Sequence, residues 1–153
     1  MTIPLSIKAL LSDYPVYAYR QVNWGDMDAA RHVNNTIYLR WAEVGRSAYL
    51  DESIPSWMKE KNTTVGPVLA KLTCKYIFPV RYPDTVWIGT RPIERMEDRI
   101  IFENLMVSEA HERVVAKIEA AMGMFDFVKN QKVLVSDEFW EAISQPMKGI
   151  RDQ

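Results

Sequence analysis

Cysteine, histidine and glycine are scarce in this chain, and each shortage removes a class of function. A single cysteine, Cys74, among 153 residues rules out an intrachain disulfide framework. Set in an apolar, strand-forming stretch, it reads as an inert buried thiol and fits a reducing compartment. His32 and His111 stand far apart, and with one cysteine they are too few for a zinc site at the usual ligand spacings. The six glycines form no phosphate-cradling loop. The expectation is therefore no metal and no cofactor. Charge of one sign is also missing: 19 Lys and Arg against 20 Asp and Glu give a net −1, without the basic excess that nucleic acid demands. No run approaches the roughly 20 apolar residues of a membrane span. The opening "MTIPLSIKALLSDYP" is too interrupted by Pro4, Lys8 and Asp13 for a secretory signal. A soluble, cytoplasmic protein is the expectation. Repeats and Pro/Gly/Ser-rich linkers are absent too, so residues 1–153 read as one domain, long enough to bury roughly two thirds of its unfolded surface.

What is present alternates between two periodicities. A short helix near Ile3–Leu11 precedes Pro15, and "VYAYRQVNW" has the β-branched and aromatic residues that strands favour. From Thr36 the spacing turns helical: Ile37, Trp41, Val44 and Ala48 form one row, and Tyr38, Ala42, Gly45 and Tyr49 the next. Arg40, Glu43 and Ser47 lie opposite. Glu43, three residues from both Arg40 and Arg46, reads as an ion-paired structural residue. Gly45 within buried rows costs about 1 kcal/mol against alanine unless something presses on the helix. Period two then begins, with Val68, Ala70, Leu72, Cys74, Tyr76 and Phe78 on one side of a long strand. Three more strands follow, "TVWIGTRPIERM", "RIIFENLMVSE" and "RVVAKIEAAMGMFDF", joined by short turns that imply antiparallel pairing. Lys71, Lys75, Arg81, Arg91 and Arg95 read as a solvated strand face. A last helix of about Asp137–Ile143 takes Ser136 as its N-cap. This order predicts an α+β domain in which a curved antiparallel sheet covers one long helix.

Residues 24–46, "WGDMDAARHVNNTIYLRWAEVGR", crowd two aspartates, a histidine and two asparagines just ahead of that helix. They form either a capped helix start or a reaction centre. With the element order, this stretch closely resembles the hotdog-fold thioesterases of the 4-hydroxybenzoyl-CoA thioesterase-like group, whose segment reads like D-x-D-x-x-x-H-V-N-N-x-x-Y-L. The later "KYIFPVRYPDTVWIGT" resembles a second, less specific segment of that group. The resemblance implies a hotdog fold and hydrolysis of an acyl thioester, either acyl-CoA or an acyl-pantetheine carrier protein. It also implies a site shared between subunits of a homodimer or homotetramer.

Thioester hydrolysis needs an attacking oxygen and donors for the oxyanion that forms at the carbonyl. The resemblance assigns the first to Asp28, as general base or as nucleophile, and the second to the backbone N–H of Asn35. A helix start supplies N–H groups without intrahelical partners and the positive end of the macrodipole, which suits an oxyanion. Some members carry a histidine at the position of Asn35; an asparagine there cannot take a proton at neutral pH. His32 either orients Asp28 or substrate, or merely satisfies loop backbone. Asn34 reads as N-cap and Asp26 as a turn former. Tyr38 is a substrate-binding candidate, and the depth of an acyl tunnel depends on which of Trp24, Tyr38, Trp41, Tyr49, Trp57 and Tyr76 line it. The alternative from another class is a non-catalytic hotdog module that binds an acyl or aromatic ligand.

Overall fold

The computed structural model describes residues 1–151, and its elements follow the two periodicities. Among these residues the order is α1 (Leu5–Leu10), β1 (Val16–Gln21), a 3-10 turn (Trp24–Asp26), α2 (Asn35–Ser53), α3 (Trp57–Glu60) and β2 (Val65–Tyr76). There follow β3 (Thr85–Arg95), β4 (Arg99–Ser108), β5 (Arg113–Asp126), β6 (Gln131–Val133) and α4 (Asp137–Arg151). The strands pair antiparallel in the order β1-β3-β4-β5-β2, with short β6 added beside β5. The long helix α2 lies on one face of this sheet, as the α+β, helix-in-sheet reading expects. No helix among the described residues is long and apolar enough to cross a membrane.

Alternation in the central strands explains how both faces are covered. Ile88, Phe102, Met106 and Ile118 pack toward α2 or its neighbours, while Trp87 and Val107 face the other way and meet Ile7, Leu11 and Tyr14 of the N-terminal segment. That outer contact is pinned by buried Glu103. It accepts from the Tyr14 hydroxyl at 2.6 Å and pairs with Arg91 and Lys117, each at 2.9 Å. Burial pushes the Glu103 carboxyl up, but the Tyr14 and Lys117 hydrogen bonds and the charges of Arg91 and Lys117 outweigh it and hold it below the usual range. Arg91 therefore belongs to an ion-pair network and not to a solvated face, and Arg95 likewise pairs with Asp137 at 2.7 Å.

The glycine in the helix has its physical cause. A Cβ on Gly45 would stand 2.6 Å from Thr90 Oγ1, 2.7 Å from Ile88 Cγ2 and 2.8 Å from Asn104 Nδ2. Helix and sheet touch here almost backbone to side chain. Gly45→Ala gains about 1 kcal/mol of helix propensity, while forced overpacking costs typically 1–3 kcal/mol. We expect a net fall in urea midpoint; a rise would show that Thr90 and Asn104 yield freely.

Four expectations need correction. The buried side of α2 is Tyr38, Trp41, Ala42, Gly45, Arg46 and Tyr49, so Ile37, Val44 and Ala48 sit at its margin. Glu43 makes no ion pair among the described residues, and Arg46, read as its partner, is buried instead. In β2 a bulge around Ala70 breaks the alternation: Leu69 faces Met122 and Lys71 faces Ala121. Beyond it Leu72 and Cys74 pack on the core, but Val68 and Ala70 are exposed. Finally, α4 does not stop at Ile143; it runs through Pro146 to Arg151.

Candidate active site

The segment from Asn23 to Asn35 is built from short-range hydrogen bonds that its polar residues dictate. Asp26 is a turn former: its Oδ2 accepts from the Asn23 N–H at 2.8 Å, closing a capping box over the 3-10 turn. Met27 and Val33 form an isolated antiparallel bridge, and Asp28–His32 loops between them. The Asp28 N–H donates to the His32 carbonyl at 3.1 Å and the Arg31 N–H to the Asp28 carbonyl at 2.9 Å. Closing so tight a loop places Arg31 at φ 59°, a left-handed conformation uncommon outside glycine. The base is fixed from both sides by the Val33 N–H on the Val80 carbonyl (2.8 Å) and the Asn34 N–H on the Asp26 carbonyl (2.9 Å).

Asp28 is exposed at the start of this loop. Its Oδ1 accepts from the Ala30 N–H at 2.9 Å, and its Oδ2 lies 3.5 Å from the Asn34 side-chain amide. The loop thus uses one carboxylate oxygen and leaves the other nearly free beside the helix.

Asn34 is the N-cap, its Oδ1 accepting from the Thr36 N–H at 2.9 Å and the Thr36 hydroxyl at 2.7 Å. The Ile37 N–H donates to the Asn34 carbonyl at 3.0 Å. Among the first-turn donors Thr36 and Ile37 are therefore occupied, whereas the N–H of Asn35, first residue of α2 and exposed, makes no hydrogen bond among the described residues. Asp28, the capping amide and an unengaged helix-start N–H are brought to one edge of the molecule.

Two contacts had no local sequence signal. The Tyr76 hydroxyl donates to the Asn35 carbonyl at 2.8 Å, tying β2 to the first turn of α2 across 41 positions. Desolvation, with the nearby Cys74, pushes that hydroxyl up to about 12, so it remains a donor across the physiological range. Arg81 Nε donates to His32 Nε2 at 2.9 Å, which requires the proton of the neutral ring on Nδ1. His32 thus turns its ring to Arg81 and its carbonyl to the Asp28 N–H. It holds the loop and makes no side-chain bond to the Asp28 carboxylate. Arg81, read as part of a solvated strand face, is engaged instead by the His32 ring.

Of the aromatic candidates, Tyr38 is buried, with its ring tilted against Trp41 (5.2 Å) and edge-to-face with Tyr76 (5.1 Å). Burial raises its hydroxyl, with the Val80 backbone opposing. Trp41 and Tyr49 belong to the core, and the Tyr49 hydroxyl donates to the Ile143 carbonyl at 2.6 Å. Trp24 projects into solvent, 74% exposed. Trp57 packs on Phe139 beyond the far end of α2. The six therefore do not line one tunnel within a single chain. Among the described residues no group of three or more His, Cys, Asp or Glu is placed to hold a metal ion.

This architecture recurs in solved structures. YbaW of Escherichia coli, named a probable thioesterase, matches with a TM-score of 0.76 at 21% identity, covering 86% of this chain and 98% of its own. A thioesterase from Thermus thermophilus complexed with coenzyme A and Zn matches with a TM-score of 0.75 at 22% identity, covering 89% and 97%. The gentisyl-coenzyme A thioesterase BH1999 matches with a TM-score of 0.71 at 22% identity, covering 84% and 99%. At these identities the likeness establishes the fold, the hotdog arrangement expected from the motif. No curated protein sequence matches the chain. The model of the thioesterase-like superfamily, however, matches residues 22–143, from the end of β1 into α4. With most of its length inside that model, the chain belongs to the thioesterase-like superfamily.

Proposed function

We propose that the chain hydrolyses an acyl-CoA thioester to the free acid and thiol, with Asp28 supplying the attack and the Asn35 N–H receiving the oxyanion. One observation carries this reading: an exposed carboxylate, one of whose oxygens meets only the long 3.5 Å approach of the Asn34 amide, stands beside a helix start whose first N–H is unengaged. As general base, Asp28 takes a proton from water as the water oxygen adds to the thioester carbon. As nucleophile, its oxygen adds to that carbon, expels thiolate and leaves an anhydride that water opens. In either route negative charge grows on the carbonyl oxygen, where the N–H and the helix macrodipole stabilise it. Asn34 holds the helix start in register, His32 and Arg81 hold the loop, and Tyr38 meets the Tyr76 ring edge-to-face.

Coenzyme A in the Thermus thermophilus neighbour supports CoA as the thiol arm. The edge position of β2 and the exposed Leu69, Tyr76 and Ile77 along it support assembly into a dimer or tetramer that covers them. The test is thiol release over short, long and aromatic acyl-CoAs, run on material sized by light scattering. Turnover of at least one class by a dimer or tetramer is expected. No turnover across the panel would favour a module that binds acyl groups without cleaving them, and a fully active monomer would exclude a shared site.

A further inference from the structure

Tyr76, the last residue of β2, is about half exposed, yet its hydroxyl bonds to the protein: it donates to the Asn35 carbonyl at 2.8 Å. In an α-helix that carbonyl already accepts from the N–H four residues on, so the bond is not needed to satisfy it. What the bond adds is a fixed distance between a strand and the residue whose N–H is unengaged.

The same side chain holds that turn at a second point. Its ring meets Tyr38 edge-to-face at 5.1 Å, and Asn35 and Tyr38, three apart, are neighbours on the helix surface. Tyr38 is buried in one cluster with Val33 and Val80, so the ring rests on packed core. The arm is also rigid at its root. Tyr76 pairs with Ala116 of β5, and the next two N–H groups, of Ile77 and Phe78, both donate to the Val115 carbonyl, at 2.8 and 3.1 Å. Val115 and Ala116 are fully buried. The other ties of this helix start are local: Asn34 caps Thr36 two residues on, and its N–H reaches only the Asp26 loop. Helix ends fray, and among the described residues the Tyr76 hydroxyl is the hydrogen-bond donor that reaches this turn from a strand. An oxyanion donor is effective only where it is held in place before charge develops.

We propose that Tyr76 is a positioning residue of the candidate site: its hydroxyl and ring fix the first turn of α2 against the sheet and so aim the Asn35 N–H at the thioester carbonyl. Tyr76 acts through Asn35 and not on the reacting atoms. Both of its contacts lie within one chain, so the role does not depend on what covers the β2 edge. The proposal rests on the thioesterase reading only for its kinetic arm.

The experiment compares the unmodified protein with Tyr76→Phe, which keeps the ring and removes the hydroxyl. One such hydrogen bond is worth roughly 3- to 10-fold, and the loss is expected in kcat with KM little changed. The same change made on Asn35→Pro, which has no N–H to aim, should cost almost nothing further. Nitrogen relaxation reads the turn without turnover. The Asn35 order parameter, expected at about 0.85 in the unmodified protein, should fall in Tyr76→Phe while mid-helix residues such as Ala42 keep theirs. If no acyl-CoA is cleaved but that fall is present, the hydrolase reading fails and the clamp on Asn35 stands. An unchanged order parameter overturns the clamp. In an active enzyme, an unchanged kcat, a loss confined to KM, or a kcat loss that multiplies in full with that of Asn35→Pro overturns the positioning role. So does a kcat loss that comes with dissociation in light scattering, since the hydroxyl would then serve a subunit contact.

Discussion

Asp28→Asn is expected to lower thioester turnover by roughly 10²-fold or more, the usual consequence of losing a general base or nucleophile. The fold should tolerate it. The Ala30 N–H bond to Oδ1 needs only a carbonyl-type acceptor, which asparagine provides. The 3.5 Å approach of the Asn34 amide to Oδ2 is long, and Asn34 remains held by Thr36. Asp26→Asn serves as the internal contrast, because the carboxylate of Asp26 is spent on the Asn23 N–H. Its loss weakens a cap and should show chiefly in Tm. Steady-state kinetics and thermal unfolding on both variants separate the roles. Equal losses of turnover, or a fully active Asp28→Asn, would mean that the carboxylate is only a loop former like its neighbour.

That contrast also marks what the sequence could convey. The helix start was legible because its determinants are local: Asn34 caps within two residues, and Asp26 and Asp28 bond within three. The succession of strands along the chain and the pressure on Gly45 were legible through periodicity, since a glycine in buried helical rows implies a close neighbour; that β2 pairs with β5 and not with the next strand, β3, was not. The identity of that neighbour, Thr90 with Asn104, was not, because it depends on strand register 45 or more positions away. The same holds for Tyr76 on Asn35 and Arg81 on His32. The bulge at Ala70 inserts one residue into β2, and period-two reasoning has no signal for a phase change inside an unbroken apolar run. The predicted last helix stopped at Ile143, short of Pro146, whereas α4 runs on through it. Burial of Phe139 and Ile143 against Tyr49 and Phe102 stabilises α4 enough to carry it past one missing N–H. Three-residue β6 is too short for any periodicity to show. Arg46 was placed on the right helix but given the wrong surroundings, since whether an arginine at the margin of a buried face meets water or Met122 is decided by the sheet.

The oxyanion assignment concerns a backbone group, so it takes a substitution that removes an N–H without removing the helix. Asn35→Pro does this. Asn35 is the first residue of α2, where proline's missing N–H and fixed φ are tolerated. The residue before a proline must be extended, and Asn34 already is, at φ −59° and ψ 142°. The cap on Thr36 and the Tyr76 hydroxyl bond to the Asn35 carbonyl use atoms that both variants retain. Asn35→Ala is the paired control, keeping the N–H and losing only the side-chain amide. One oxyanion donor is worth roughly 10²- to 10³-fold in turnover. Between two variants of equal circular dichroism and equal oligomeric state, the proline form should fall below the alanine form by that factor in kcat, with KM little changed. A comparable loss in both would assign the effect to the Asn35 side chain. Comparable activity in both would mean that this N–H does not face the thioester carbonyl, and the oxyanion must then find its donor elsewhere.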